Sequence, residues 1–190
     1  MRGKVLLLAG LWPLWAQAHP QGHSISFLNG FSHPWLGADH LLAMLAVGML
    51  AASILSLRRG LALPALFLLG LLSGVWLGSL FQIISSVEYL VAASVALLGG
   101  TLLFSSRLLF SVICGIVLCS GVLHGLVHGL EMPAASGLLP FMSGLFLASA
   151  LLHGGGFVWL RYGSRRVHQK LSAVSAMGLT LAGLVLLWGV

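Results

Sequence analysis

The chain has 190 residues, of which 59% are hydrophobic and only 6% are charged. Soluble domains carry about 25% charged residues, so this composition excludes a water-soluble globule. Lys and Arg outnumber Asp and Glu by 9 to 3. These positive charges lie in short gaps between apolar runs, where basic residues set membrane topology rather than bind a polyanion. The composition therefore predicts a protein whose partner is the lipid bilayer and excludes nucleic acid.

Residues 1–18 have the form of a cleavable signal peptide. A short basic n-region precedes an apolar h-region at 5–15, and an Ala-Gln-Ala cleavage site follows at 16–18. The apolar stretch is too short to remain as a membrane span. We predict cleavage after residue 18, so the mature chain begins at His19 in the periplasm.

The mature chain is predicted to have a polar, turn-rich periplasmic segment at 19–34 and a transmembrane domain at 35–190. Six apolar runs in that domain approach the length needed to cross a hydrocarbon core of ~30 Å. The predicted spans are 35–57, 62–84, 87–104, 108–130, 135–160 and 171–189. The predicted fold is thus an all-α polytopic membrane protein with about six transmembrane helices after a cleaved signal peptide.

The distribution of positive charge predicts the orientation of these spans. With a periplasmic start, the loops at 58–61, 105–107 and 161–170 lie in the cytoplasm. They hold all the Lys and Arg of the mature chain: Arg58, Arg59, Arg107, Arg161, Arg165, Arg166 and Lys170. Cytoplasmic loops of membrane proteins are enriched in these residues. The chain is therefore expected in the inner membrane of a bacterium, with a periplasmic mature N-terminus.

Ionisable residues inside the predicted spans are grouped rather than scattered. His124, His128 and Glu131 lie at the end of the fourth span, at relative positions i, i+4 and i+7. All three side chains therefore project from one helix face. An ionisable group at membrane depth is costly, so each one is a candidate for function. Two imidazoles and a carboxylate on one face form half of a divalent-metal site.

A second group lies at the start of the first span, which runs inward from the same side. Asp39 and His40 are adjacent, and His33 lies just outside, where Pro34 is expected to force a turn. The two groups should meet at one periplasmic depth. The predicted metal ligands are His33, Asp39, His40, His124, His128 and Glu131. The alternative is that these histidines only form hydrogen bonds between helices. That alternative suits a single histidine better than five donors at one depth.

The donor set restricts the metal. Ni²⁺ and Co²⁺ suit imidazole with some carboxylate, whereas Cu(I) favours sulfur, and calcium and magnesium favour oxygen. Zinc also fits these ligands. The ion is expected as a transported substrate, and no permanently bound cofactor is expected. Protons compete with metal for imidazole nitrogen, so acid should hinder loading.

The remaining histidines have weaker interpretations. His19 and His23 are predicted to collect metal in the periplasmic segment, with a disordered polar start as the alternative. His153, before three glycines in the fifth span, is either an exit-side ligand or a packed histidine, and packing is the preferred interpretation. His168 lies in a basic loop and is expected to be solvated.

Two motifs resemble those of the HupE/UreJ family of nickel and cobalt permeases. The first, a histidine, five residues and Asp-His, reads His33-PWLGA-Asp39-His40 here. The second, FHG-x-(A/V)-HG-x-E in the family, reads LHGLVHGLE at 123–131, with Leu123 in place of Phe. The resemblance covers essentially the whole chain. It implies import of Ni²⁺ or Co²⁺ through the inner membrane for metalloenzyme or cobalamin assembly.

Other functions remain open from the residues alone. An intramembrane zinc hydrolase would need an acid or base, for which Glu131 or Ser32 is available. A haem-binding subunit with histidine axial ligands would show a Soret band. The sequence has no P-loop, so ATP-driven transport by this chain alone is excluded. A homo-oligomer is compatible with the sequence. We expect a permease and not an enzyme.

Overall fold

The computed structural model describes residues 27–80, 87–131, 138–161 and 165–189. Within these ranges every regular element is a helix, which confirms the all-α prediction. The helices are α1 Phe27–Leu36, α2 Ala38–Ser53, α3 Leu57–Leu80, α4 Val87–Leu103, α5 Phe110–Glu131, α6 Leu138–Arg161 and α7 Arg165–Gly189. The predicted signal peptide, His19 and His23 lie outside the described residues.

The described helices make this a membrane protein with four or five spans by length. Helices α3, α5, α6 and α7 are each long and apolar enough to cross a membrane. Helices α1 and α2 pass the same test together, although a break between them bends the pair by 85°. Helix α4 is apolar but has only 17 residues, about 25 Å of helix against a core of ~30 Å. The predicted total of six spans therefore stays a prediction.

The segment predicted to be turn-rich is helical from Phe27 onward. Phe27, Phe31 and Trp35 recur every four residues and form a row of rings on α1, with successive centroids 6.2 and 6.5 Å apart. On the face toward α6, a methyl group at Gly30 would clash with the carbonyl of Phe141. The row of aromatic rings and the close backbone contact with α6 thus stabilise a helix in this otherwise polar stretch.

The sharp change of direction comes at Gly37 rather than at Pro34. Pro34 lies inside α1 and is buried. Gly37 has an extended backbone (φ −93°, ψ 121°) and is the N-cap of α2. Its carbonyl accepts the first helical hydrogen bond, from the Leu41 amide at 2.9 Å. The helix is therefore interrupted at Gly37, and α1 lies across the start of α2 at an angle of 85°.

Helices α3 and α5 pack in parallel through facing rows of glycine. The six glycines recur at four-residue spacing: Gly70, Gly74, Gly78, Gly121, Gly125 and Gly129. A methyl group at Gly74 would clash with the Val122 carbonyl, and one at Gly125 with the Leu71 carbonyl. Small residues at this spacing let membrane helices approach closely. Close packing of α3 against α5 is therefore the role of these glycines.

Helix α2 lies at the centre of the described structure. It contacts α1, α3, α4, α6 and α7, and its apolar face from Ala43 to Leu50 is completely buried at most positions. Beside α2, α4 and α7 pack antiparallel, because Gly99 faces Thr180 while Gly183 faces Ala96. A central helix is shielded from lipid, so a polar residue on α2 is held inside the protein.

The helices gather all the described basic residues at one end, which we call the arginine end. The last turn of α2 meets the start of α3 through Ala51 and Gly60. Arg59 of α3 lies over the ring of Phe110, the first residue of α5, at 5.7 Å. The antiparallel α4–α7 pair brings the loop holding Arg107 beside the start of α7. The opposite end, where α2 and α6 begin and α5 ends, is called the histidine end.

Candidate metal site

At the histidine end, the first turn of α2 presents a paired acid and imidazole. Asp39 Oδ1 lies 3.0 Å from His40 Nδ1 and also accepts the backbone N–H of His40 at 2.8 Å. An acid in the first turn is favoured by the helix dipole. The tautomer with the proton on Nδ1 donates to Asp39 and leaves the lone pair on Nε2. This is the carboxylate–histidine arrangement that orients metal ligands.

Nε2 of His40 faces a second imidazole, from α5. It lies 3.1 Å from Nε2 of His128, and the two residues are only 5% and 2% exposed. Two nitrogens bound to one ion at about 2.0–2.1 Å would be about 2.8–3.4 Å apart for N–metal–N angles of ~90–109°. The observed separation therefore fits two ligands on a single ion.

His33 of α1 completes a three-histidine group. Donor atoms of His33, His40 and His128 all lie within 4.8 Å of one another. The His33 ring centroid is 4.6 Å from that of His128 and 5.4 Å from that of His40. His33 is half-buried, unlike the other two. The bend at Gly37 thus places an accessible imidazole over two buried ones.

His124, one turn earlier on α5, lies on the inner side of this group. Its ring centroid is 4.8 Å from that of His40. Its Nδ1 lies 2.9 Å from the Ser120 carbonyl oxygen, to which it donates. Its Nε2 is buried and has no hydrogen-bond partner among the described residues. We call His33, His40, His124 and His128 the histidine cluster.

Farther inward, two side chains extend the line of rings. The Phe67 ring of α3 lies 5.6 Å from His124 and 5.4 Å from His153, centroid to centroid. His153 of α6 is 2% exposed, and neither ring nitrogen has a hydrogen-bond partner among the described residues. The position of Phe67 could not be predicted from the sequence, because one phenylalanine in an apolar run gives no signal.

Two further expectations concern residues beyond the cluster. Glu131 is the last residue of α5, on the same helix face as His124 and His128, and its side chain lies outside the described part of the structure. The expectation that His168 is solvated was wrong. His168 is partly buried, and its Nδ1 donates to the Leu160 carbonyl at 2.7 Å. The end of α6 supplies that acceptor, which the sequence of the loop alone does not indicate.

Comparison with known proteins gives two matches over most of the chain. A family model described as HupE / UreJ protein matches residues 6–186. Protein HupE from Rhizobium leguminosarum bv. viciae is 34% identical over 179 residues, which are 93% of this chain and 92% of that protein. No solved structure matches the chain significantly. The matched range includes the whole histidine cluster and His153.

Proposed function

Because this chain belongs to the HupE/UreJ family, we propose that it is an inner-membrane permease that imports Ni²⁺ or Co²⁺ through the histidine cluster. The imported ion would supply the maturation of a metalloenzyme. The ion is the substrate and is released at the arginine end. His33, His40, His124 and His128 are the proposed ligands, with Asp39 and Glu131 either binding the ion or orienting the imidazoles.

The 3.1 Å separation of His40 Nε2 and His128 Nε2 carries this proposal. Two buried imidazoles in contact through Nε2 can share one proton in an N–H···N hydrogen bond, or each can give its Nε2 lone pair to one ion. A divalent ion between them uses both lone pairs. Asp39 keeps the His40 lone pair directed at that point by accepting from Nδ1. The half-buried His33 ring lies where an arriving ion would first meet the pair.

The chemistry of the cluster favours a borderline transition metal. Its described donors are imidazoles with one carboxylate behind them, which suits nickel, cobalt or zinc better than calcium or magnesium. Neither cysteine belongs to the cluster, since Cys114 and Cys119 lie earlier on α5 and Cys119 is exposed. Zinc fits the same donors. The choice of Ni²⁺ or Co²⁺ therefore rests on the family resemblance.

The direction of transport rests on the charge at the two ends. The basic residues at the arginine end favour a cytoplasmic location for that end. The histidine end would then face the periplasm, and both mature termini would lie outside. Reporter fusions after Arg59 and Arg166 should be active in the cytoplasm, and a fusion at Val190 in the periplasm. A cytoplasmic Val190 contradicts this topology.

Uptake into proteoliposomes tests the function directly. Purified protein should give saturable uptake of radiolabelled Ni²⁺ or Co²⁺ that empty liposomes lack, and Zn²⁺ should be added as competitor. A His40→Ala, His128→Ala double variant is the matched control, because it keeps the same helices without the facing nitrogens. Uptake of zinc alone would keep transport and overturn the choice of ion. Equal uptake by the wild type and the double variant would overturn the site.

The intramembrane hydrolase suggested by the donor set has no observation in its favour among the described residues. Ser32, one of the two groups available as an acid or base, is exposed and donates to the Asn29 carbonyl at 3.2 Å. Asp39 already contacts His40 through the backbone and the side chain. The arrangement instead resembles a ligand set with its orienting partner. Transport is therefore the function that the site supports best.

A further inference from the structure

His153 lies in the interior on the arginine-end side of the histidine cluster. Its backbone carbonyl is so close to Gly48 of α2 that a methyl group there would clash with it. Gly48 follows His40 by two helical turns, about 12 Å along α2 at 1.5 Å per residue. An ion that leaves the cluster toward the arginine end must travel in the direction of His153.

The His153 side chain is buried without the contacts that a packed histidine normally has. Both ring nitrogens lack a hydrogen-bond partner among the described residues. Most buried polar side-chain atoms in proteins have a partner, and leaving one without a partner is unfavourable. One turn earlier, the buried Ser149 hydroxyl donates to the Leu145 carbonyl at 2.7 Å. Helix α6 therefore provides a hydrogen-bond acceptor for the Ser149 hydroxyl but no partner for the His153 ring.

The Phe67 ring joins His153 to the cluster. Its centroid lies 5.6 Å from that of His124 and 5.4 Å from that of His153, and the His153 ring is nearly at right angles to it (83°). His124 also has a buried Nε2 without a partner. Two imidazoles with unpartnered nitrogens thus contact the same aromatic ring. No other histidine among the described residues has both nitrogens buried and unpartnered.

We propose that His153 is a second, inner ligand that receives the transported ion from His124 on its way to the arginine end. A single imidazole leaves the remaining coordination positions to water or backbone carbonyls, so this site is weaker than the cluster. Weak binding suits a transit site, because conduction requires that an ion can leave as well as enter. This inference rests on the proposed function, and it replaces the packing role preferred from the sequence.

Two substitutions at His153 separate a ligand from a packing residue. His153→Leu keeps an apolar side chain of similar bulk and removes both nitrogens. His153→Cys is smaller but restores a donor that binds nickel, cobalt and zinc. Ser149→Ala is the matched control, since it removes a buried polar group one turn away that already has a partner. Each protein is assayed in proteoliposomes for uptake rate and in detergent for equilibrium Ni²⁺ binding.

We expect His153→Leu to lower the uptake rate at least tenfold while equilibrium Ni²⁺ affinity stays within about threefold of wild type, as the cluster remains intact. His153→Cys should recover part of the rate and increase the share of Zn²⁺ transported. Ser149→Ala should match the wild type. A leucine variant that transports normally overturns the inner site, as does a leucine variant faster than the cysteine variant. A wild-type protein that takes up no ion overturns both the inner site and the proposed permease function.

Discussion

The cluster histidine His40 and the inner histidine His153 differ in what their nitrogens contact. His40 Nδ1 lies 3.0 Å from Asp39 and its Nε2 lies 3.1 Å from His128. Neither nitrogen of His153 has a partner among the described residues. Both side chains are almost completely buried, so burial alone does not distinguish them. An oriented group of imidazoles can bind an ion tightly, whereas a single imidazole binds it more weakly.

Removing a cluster nitrogen should have the largest effect. Alanine at His40, His124 or His128 should lower Ni²⁺ uptake by more than about 100-fold, because even residues that only orient metal ligands are worth ~10–100-fold. Membrane insertion should be unchanged, as measured by the amount of protein in washed membranes. Ser94→Ala is a suitable control, since this buried hydroxyl on α4 donates to its own helix at 2.7 Å.

Normal uptake by both His124→Ala and His128→Ala would show that the ion follows another route. In that case the contact between His40 and His128 would be structural. The hydrogen-bonding difference between His40 and His153 would then have no bearing on transport. A loss confined to His128→Ala would instead restrict the site to the three histidines whose donors lie within 4.8 Å.

Removing the charge that orients His40 should have the next largest effect. Asp39→Asn keeps the shape and an acceptor oxygen but loses the negative charge, and we expect about 10–100-fold weaker Ni²⁺ binding. Asp39→Glu should recover part of the affinity, because the charge returns on a longer side chain. Equilibrium Ni²⁺ binding in detergent measures the affinity of both variants. Wild-type affinity in Asp39→Asn would show that the carboxylate does not orient the ligand.

The sequence was sufficient for the parts of this site that depend on helix spacing. The i, i+4 spacing of His124 and His128 puts them on one face, and opposite span directions bring His40 to the same end. Residue spacing cannot predict which face of α6 packs against α2. The sequence therefore could not show that both ring nitrogens of His153 are buried without a hydrogen-bond partner among the described residues. The helical fold of α1 depends on its contact with α6, which lies over 100 residues away in the chain.

Acid should weaken loading of the cluster more modestly. A metal-binding imidazole must be neutral, and an unperturbed imidazole has a pKa of about 6.5. Two ligands with this pKa would lose about 14-fold in affinity between pH 7.5 and 6.0. Initial uptake rates at fixed free Ni²⁺ and stepped external pH measure this effect. Faster uptake on the acid side would indicate proton symport, and a flat response would show that the ligands take up no protons between pH 7.5 and 6.0.

The smallest effect is expected at His168, a histidine that has a partner within the protein. Its Nδ1 donates to the Leu160 carbonyl near the end of α6, at the arginine end and away from the cluster. His168→Ala removes one hydrogen bond, worth about 0.5–1.5 kcal/mol of stability, so the unfolding temperature should fall by a few degrees. Ni²⁺ uptake and affinity should stay within about twofold of wild type.

The His168→Ala result tests whether His168 is structural or also contacts the transported ion. His168 lies near the proposed exit, so position alone would give it a role in release. Its bond to a backbone carbonyl fixes the ring and uses one nitrogen, whereas His153 has both nitrogens available for the ion. A small fall in stability with unchanged uptake supports that distinction. A tenfold loss of uptake at wild-type stability contradicts it, because the ion would then use His168 as well as His153 on its way to the arginine end.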